Sequence, residues 1–361
     1  RDEIGRAGGW IGFARYMELA LYAPGLGYYM AGARKLGPEG DFVTAPEISP
    51  LFGQTLARQV AQVLDEGLDD VMEIGAGSGA LAASLLAELE HLGALPKNYF
   101  ILELSPDLRQ RSRDTIAARV PQLMERVAWL NRLPPEFSGI VLGNEVLDAM
   151  PVHVVRTRAS ALVEAGVEAT GAQGFRWAYR PAQGELLEAA RELALPDGYT
   201  SEIGLLSRAF IASIGEMIER GAAIFIDYGF PRSEYYHPQR SEGTLMCHYR
   251  HHAHADPFYL PGLQDITAHV DFSALARSAE RGGLELLGYT TQAQFLINCG
   301  ITEVLGRVSP EDAARYLPLS NQANRLLSPS EMGELFKAIA FGKKLGAPLI
   351  GFSSGDKRHT L

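Results

Sequence analysis

The chain has 361 residues, enough to bury a full core and a second lobe, and 47% of them are apolar. No apolar run approaches the length of a membrane span. The net charge of −10 argues against a broad nucleic-acid footprint and suits a cationic partner better.

In chain order, Ile11 to Leu21 reads as a helix closed by Pro24-Gly25, with Gly27-Tyr28-Tyr29-Met30 a short strand beyond it. Phe52, Leu56, Val60, Val63 and Leu64 repeat at helical spacing and predict a helix with one face on a core. A strand beginning at Val71 and Met72 runs into Glu73-Ile74-Gly75-Ala76-Gly77-Ser78-Gly79. A helix follows from Ala80 to Leu92, with Leu81, Leu85 and Leu89 on one stripe. The next strand, Tyr99-Phe100-Ile101-Leu102, ends on Glu103. Ser105 then has the chemistry of a helix cap, Pro106 of a first position and Asp107 of a first turn. Further strands are predicted at Gly139 to Gly143, Ala222 to Tyr228, Leu284 to Tyr289 and Leu349 to Phe352. A helix carrying Met332, Leu335, Phe336 and Ile339 on one face is expected between the last two.

Continuous apolar runs of this kind suit a parallel sheet covered on both faces, and the alternation predicts a doubly wound α/β fold. About 75 residues separate the Gly139 and Ala222 strands, far more than an ordinary connection. They include an apparent hairpin (Val152 to Val155, Ala161 to Val167, Phe175 to Tyr179). The expected organisation is a helical N-terminal lid over 1–66 and a main domain over 67–361, with insertions at about 150–220 and 231–269.

Alternating glycines in the Glu73 to Gly79 stretch let the backbone turn sharply and admit a ligand to the helix N-terminus. Glu103, ending the next strand, is placed to accept hydrogen bonds from two ribose hydroxyls. Together these predict an adenosine-cofactor site. Gly75, Gly77 and Ala80 also satisfy the loose dinucleotide pattern, so a nicotinamide enzyme stays open. Glu73 at the strand tip favours a cationic ligand over a pyrophosphate, and S-adenosylmethionine is the cofactor that fits.

Three carboxylate groups are candidates for chemistry: Glu145 with Asp148, Asp227, and Glu47. Each also has a bland reading as a cap or a solvated loop residue. His248, His251, His252 and His254 with Asp256 match no zinc spacing, so solvated or substrate-contacting histidines are expected there and no metal. Thr267 or Asp271 can cap a helix starting near Phe272, while Asp265 and His269 are expected to face the cleft and contact substrate. Cys247 and Cys299 lie far apart without C-x-x-C spacing, which predicts free cytosolic thiols.

The ordered set of motifs resembles the MidA family of S-adenosylmethionine-dependent methyltransferases. The matching pieces are Gly40 to Ser49, the Glu73 to Gly79 loop, Asn144 to His153, Asp227-Tyr228-Gly229 and Gly262 through Phe272. The resemblance implies a Rossmann-like class I methyltransferase sheet with an inserted substrate lobe. It implies a protein acceptor with an accessible arginine; the chemistry of a guanidinium, which two carboxylates can grip and orient, points to Glu145 and Asp148 for that grip, with Glu47 or Asp227 assisting. Expected cofactor contacts are Glu73, Gly75, Gly77, Ser78, Gly79, Glu103, Leu104, Asn144, Thr44 and Pro46. A small-molecule N- or O-methyltransferase and a non-catalytic assembly factor remain the alternatives; no nucleic-acid or membrane partner is expected. The chain opens on Arg1 with no visible transit segment, so a missing native N-terminus and a bacterial cytoplasmic relative of a mitochondrial protein are expected.

Overall fold

The computed structural model describes residues 1–31, 43–171 and 174–361. Gly40, Asp41 and Phe42 of the first family-like motif lie outside the described residues.

The apolar runs assemble side by side into one sheet. Its strands are β1 (Asp70–Ile74), β2 (Asn98–Leu102), β3 (Val127–Leu130), β4 (Phe137–Asn144), β5 (Ile218–Phe230), β6 (Glu285–Thr291) and β7 (Phe336–Lys343). They lie in the order 3-2-1-4-5-7-6, with the two-residue strand Val270–Asp271 added to the end of β5. The first five are parallel, Met72 facing Phe100 on one side and Val141 on the other. β7 runs antiparallel between β5 and β6.

Both faces of the sheet are covered, which is why the middle stretches of its central strands, such as Ile140 to Leu142 and Ala222 to Ile226, are continuous buried apolar runs rather than alternating. Helices Pro50–Leu64 and Ala80–His91 pack on one face around Val71, Ile140 and Ile224. Leu205–Met217 and Phe272–Arg281 pack on the other around Met72, Val141 and Phe225. Strand order reverses between β1 and β4, and a parallel sheet opens its ligand crevice at the carboxyl ends beside such a reversal.

A separate five-stranded sheet is built from Ile11–Gly12, His153–Arg158, Ala161–Thr170, Gly174–Pro181 and Thr200–Ile203. A third, small sheet places Met246–Tyr249 between His252–His254 and Asp265–Thr267. Helix Phe13–Tyr22 joins these two through one core that contains Phe13, Met17, Val154, Val167, Cys247 and Ile266. Within residues 1–66, then, the first part packs with the inserted lobe, whereas Pro50–Leu64 packs on the central sheet.

Three local expectations are corrected. The segment read as a helix through Phe336 and Ile339 is strand β7, in which Ala338, Ile339, Ala340 and Phe341 are all buried. A short run buried on both faces has no periodicity that separates strand from helix. Gly27 to Met30 is a turn whose amides reach back to Ala20, Leu21 and Gly27, and Ile350–Phe352 is a single 3-10 turn.

Phe225 is fully buried beneath β4, against Phe210. Its replacement by alanine is expected to cost about 3–5 kcal/mol in urea unfolding.

Candidate active site

The cofactor end begins where β1 stops. Gly75, Gly77 and Gly79 take φ values of +68°, +55° and +81°, a region that glycine enters without strain. At Gly79 a Cβ would also lie 2.8 Å from the Ser112 Cα, so the close approach of two segments requires glycine there. Glu103, just past the end of β2, is buried and accepts hydrogen bonds from the Gly77 and Ser105 amides at 3.2 and 2.9 Å. Burial raises its carboxyl pKa against the opposing effect of those donors. Ser78 donates its hydroxyl hydrogen to Glu47 and accepts from the Ala80 amide at 3.3 Å. Glu73 is buried with its carboxylate 2.6 Å from the Tyr99 hydroxyl, and burial pushes its pKa up to about 7.

The second end is the turn after β4. Glu145 sits at φ +53°, a left-handed conformation uncommon for a residue with a side chain and a local strain that neighbours must hold. Its own amide donates to the Ile226 carbonyl at 2.9 Å. Its carboxylate accepts from the Ala45 amide at 3.3 Å and the Asn144 side-chain amide at 3.1 Å. The three amides that follow, of Val146, Leu147 and Asp148, converge on Asp227 Oδ2 at 3.1, 2.8 and 3.4 Å. Asp227 Oδ1 accepts from the Tyr228 amide at 3.0 Å.

The catalytic role expected for Asp227 does not match this place. It is buried behind the turn, outside the cavity wall, and its carboxylate is occupied by main-chain amides. Asp227 therefore shapes the turn that presents Glu145 and Asp148.

A cavity of about 770 Å³ joins the two ends. Thr44, Pro46, Leu104, Ser78 and Asn144 line it, as do Gly75, Gly77, Glu47, Glu145, Asp148, Asp265 and His269. Gly79 instead begins the helix behind the loop. Asp265 accepts from the Tyr29 hydroxyl and the Ile266 amide, both at 3.0 Å. His269 stacks on Phe230 and is half-buried, and desolvation lowers its pKa to about 4. Asp271, as foreseen, caps the helix starting at Phe272 through the Ala274 amide.

Sequence reading missed the aromatic wall. Tyr22 and Tyr29 stack 5.5 Å apart, and the Tyr22 hydroxyl donates to the Ala149 carbonyl at 3.0 Å. Tyr228, Phe210, Phe336 and Met246 also line the cavity, and so does His248, one of the histidines expected to be solvated or to contact substrate. The one available signal was the Gly-Tyr-Tyr-Met run, read only as a strand. Among the described residues no group of three or more His, Cys, Asp or Glu has the arrangement of a metal site, and no helix is long and apolar enough to cross a membrane.

Charge is one-sided. Glu18, Glu47, Glu73, Glu103, Glu145, Asp148 and Asp265 line the cavity, and no lysine or arginine is among its described lining residues. Burial, then the neighbouring Asp148, pushes the Glu145 carboxyl up to about 8. Asp148 is also raised, chiefly by burial, and so is Asp227, by burial and Asp148. Asp148 Oδ1 and Asn144 Oδ1 are buried acceptors without a hydrogen-bond partner among the described residues. Positive-φ glycines, a carboxylate beside them and an anionic, aromatic cavity fit S-adenosylmethionine, whose sulfonium and ammonium are cations.

Removing the Asp227 carboxylate takes the acceptor from four amides, those of Val146, Leu147, Asp148 and Tyr228. Asp227→Ala is expected to lower unfolding stability by about 3–5 kcal/mol, and Asp227→Asn, which keeps one acceptor oxygen, by about half as much. Urea denaturation of both variants measures this; two values within about 1 kcal/mol of the parent would contradict the anchoring role.

Comparison with known proteins agrees with this geometry. A family model described as S-adenosyl-L-methionine-dependent methyltransferase matches residues 55–290. A COG1565 superfamily member from Burkholderia thailandensis, crystallised with S-adenosyl-homocysteine, is 53% identical with a TM-score of 0.97. The match covers 100% of this chain and 95% of that one. Among curated relatives, the mitochondrial protein arginine methyltransferase NDUFAF7 of Mus musculus is 31% identical, over 92% of this chain and 81% of its own length. That of Danio rerio is 29% identical, over 92% and 83%. With a central sheet, glycine loop and ribose-side carboxylate that fit the cofactor, the chain belongs to the MidA-like family of S-adenosylmethionine-dependent methyltransferases.

Proposed function

We propose that the acceptor is an arginine side chain of a protein, methylated on a guanidinium nitrogen. The observation that carries this is the cavity wall, with seven acidic side chains and no lysine or arginine among its described residues. One cation, the cofactor, does not account for the carboxylates at the far end, where Glu145, Asp148 and Asp265 gather beside Tyr22, Tyr29 and Tyr228. The names of the mitochondrial relatives support the same reading.

When bound, S-adenosylmethionine supplies an electrophilic methyl on a sulfonium. The protein's task is to align a poor nucleophile with it. A guanidinium stays protonated up to about pH 12 and spreads its charge over three nitrogens. Glu145 and Asp148 accept its N–H groups, hold its plane and draw positive charge onto the nitrogens they grip. The third nitrogen then has more lone-pair character. The partnerless Asp148 Oδ1 offers a site for one of these bonds. As the nitrogen–carbon bond forms and the sulfur–carbon bond breaks, the nitrogen sheds one proton, which a carboxylate of this cluster takes up. The aromatic wall adds cation–π attraction and keeps water out.

The pH dependence has two opposite signs. Glu145 must be ionised to grip a cation, so kcat/KM is expected to rise between about pH 6 and 8 as this cluster loses its protons. Its folded-state pKa is raised above the unfolded one, so its contribution to stability is full below about pH 4.5 and is lost as pH rises through about 8. Glu145→Gln is expected to lower kcat/KM on an arginine peptide by about 10²-fold and flatten the profile, with S-adenosylhomocysteine affinity nearly unchanged. Transfer of radiolabelled methyl to arginine peptides measures it. Full activity in the Gln variant, or transfer only to small amines or alcohols, would overturn the arginine reading.

A further inference from the structure

Resting on the arginine reading, we infer that an apolar collar at the acceptor mouth selects a polypeptide segment whose target cation is flanked by apolar residues. Leu206 and Leu335 are 50% and 53% exposed, yet both line the same cavity as the buried carboxylates. Phe210, Phe336 and Met150 line it with them and are half-buried.

Topology puts these side chains at one end of the cavity. Leu206 stands in the first turn of Leu205–Met217, the helix that leads down into β5. Leu335 immediately precedes β7, where Phe336 pairs with Tyr228 in register and lies 5.4 Å from its ring. Met150 follows the turn that carries Glu145 and Asp148. All of them therefore lie over the carboxyl ends of β4 and β5, whereas the cofactor-side carboxylate, Glu103, ends β2 on the far side of β1. Leu104 is also exposed but stands beside Glu103, so it belongs to the cofactor end.

The occupant follows from charge and polarity together. An anionic floor takes a cation, while the mouth above it presents half-exposed leucines that lose water contact only if apolar groups cover them. A free amino acid or small amine filling the floor would leave the collar wet. An extended segment advances about 3.3 Å per residue, so the residues on either side of a bound arginine run out from the floor past the mouth, where the collar meets them. Neither leucine is needed by the core: both are exposed, and Leu206 lies at a helix start where a serine is tolerated.

The test compares arginine peptides that differ only in their flanks, Leu/Met against Ser/Glu, on the parent enzyme and on a Leu206→Ser/Leu335→Ser double variant. The inference expects a KM about tenfold lower for apolar flanks, equivalent to about 1.4 kcal/mol. The variant should lose that preference with kcat on saturating peptide and S-adenosylhomocysteine affinity retained. Equal KM values for both flank types, or a preference that survives in the variant, would overturn the collar and leave the arginine reading standing. Methylation of small amines but of no arginine peptide would overturn both.

Discussion

Three consecutive main-chain amides closing on one buried carboxylate set the geometry on which the site depends. Asp227 is the acceptor for the amides of Val146, Leu147 and Asp148, the residues that follow the left-handed Glu145. The strain at Glu145 is offset because β5 grips the turn: the Ile226 carbonyl accepts from the Glu145 amide, and the Asp227 side chain accepts from the three amides that follow. A carboxylate pair on a free loop would sample many orientations. Here the pair is fixed by the neighbouring strand, so little reorganisation is left for the acceptor to drive.

The second constraint is electrostatic. Burying several carboxylates around one cavity without a basic residue is unfavourable for the isolated protein, and the raised pKa values of Glu73, Glu145 and Asp148 record that cost. Such an arrangement is sustained where the ligands bring the missing positive charge. The cofactor supplies part of it. The aromatic and carboxylate groups at the far end, which include Tyr22, Tyr29 and Asp265, add further acceptors and ring faces to the same wall, and the proposed arginine would bring the remaining charge.

Much of this was legible in the residue order, and the reason is local. Glycines that need positive φ, a serine–proline helix start and an acidic residue closing an apolar strand are each set by one or two neighbouring residues, so the turn at Gly75 and Gly77, the place of Glu103 after its strand and the Ser105 cap were legible. Glu145 and Asp148 were visible as carboxylates at a strand end. Their support was not, because Asp227 acts on residues 79 to 81 positions away. Tyr22 and Tyr29 escaped for the same reason: their partners Ala149 and Asp265 lie 127 and 236 positions along the chain. β7 was misread because an apolar run buried on both faces has the same composition as a buried helix stripe.

The most direct test of the central claim, that cofactor and cationic acceptor meet in one anionic cavity, is a crystal structure with S-adenosylhomocysteine and an arginine peptide bound together. The account predicts the glycine loop and Glu103 around the nucleoside, and the guanidinium between Glu145 and Asp148 with one nitrogen facing the sulfur. An arginine held elsewhere on the surface, with those two carboxylates facing an empty cavity or another part of the cofactor, would contradict it.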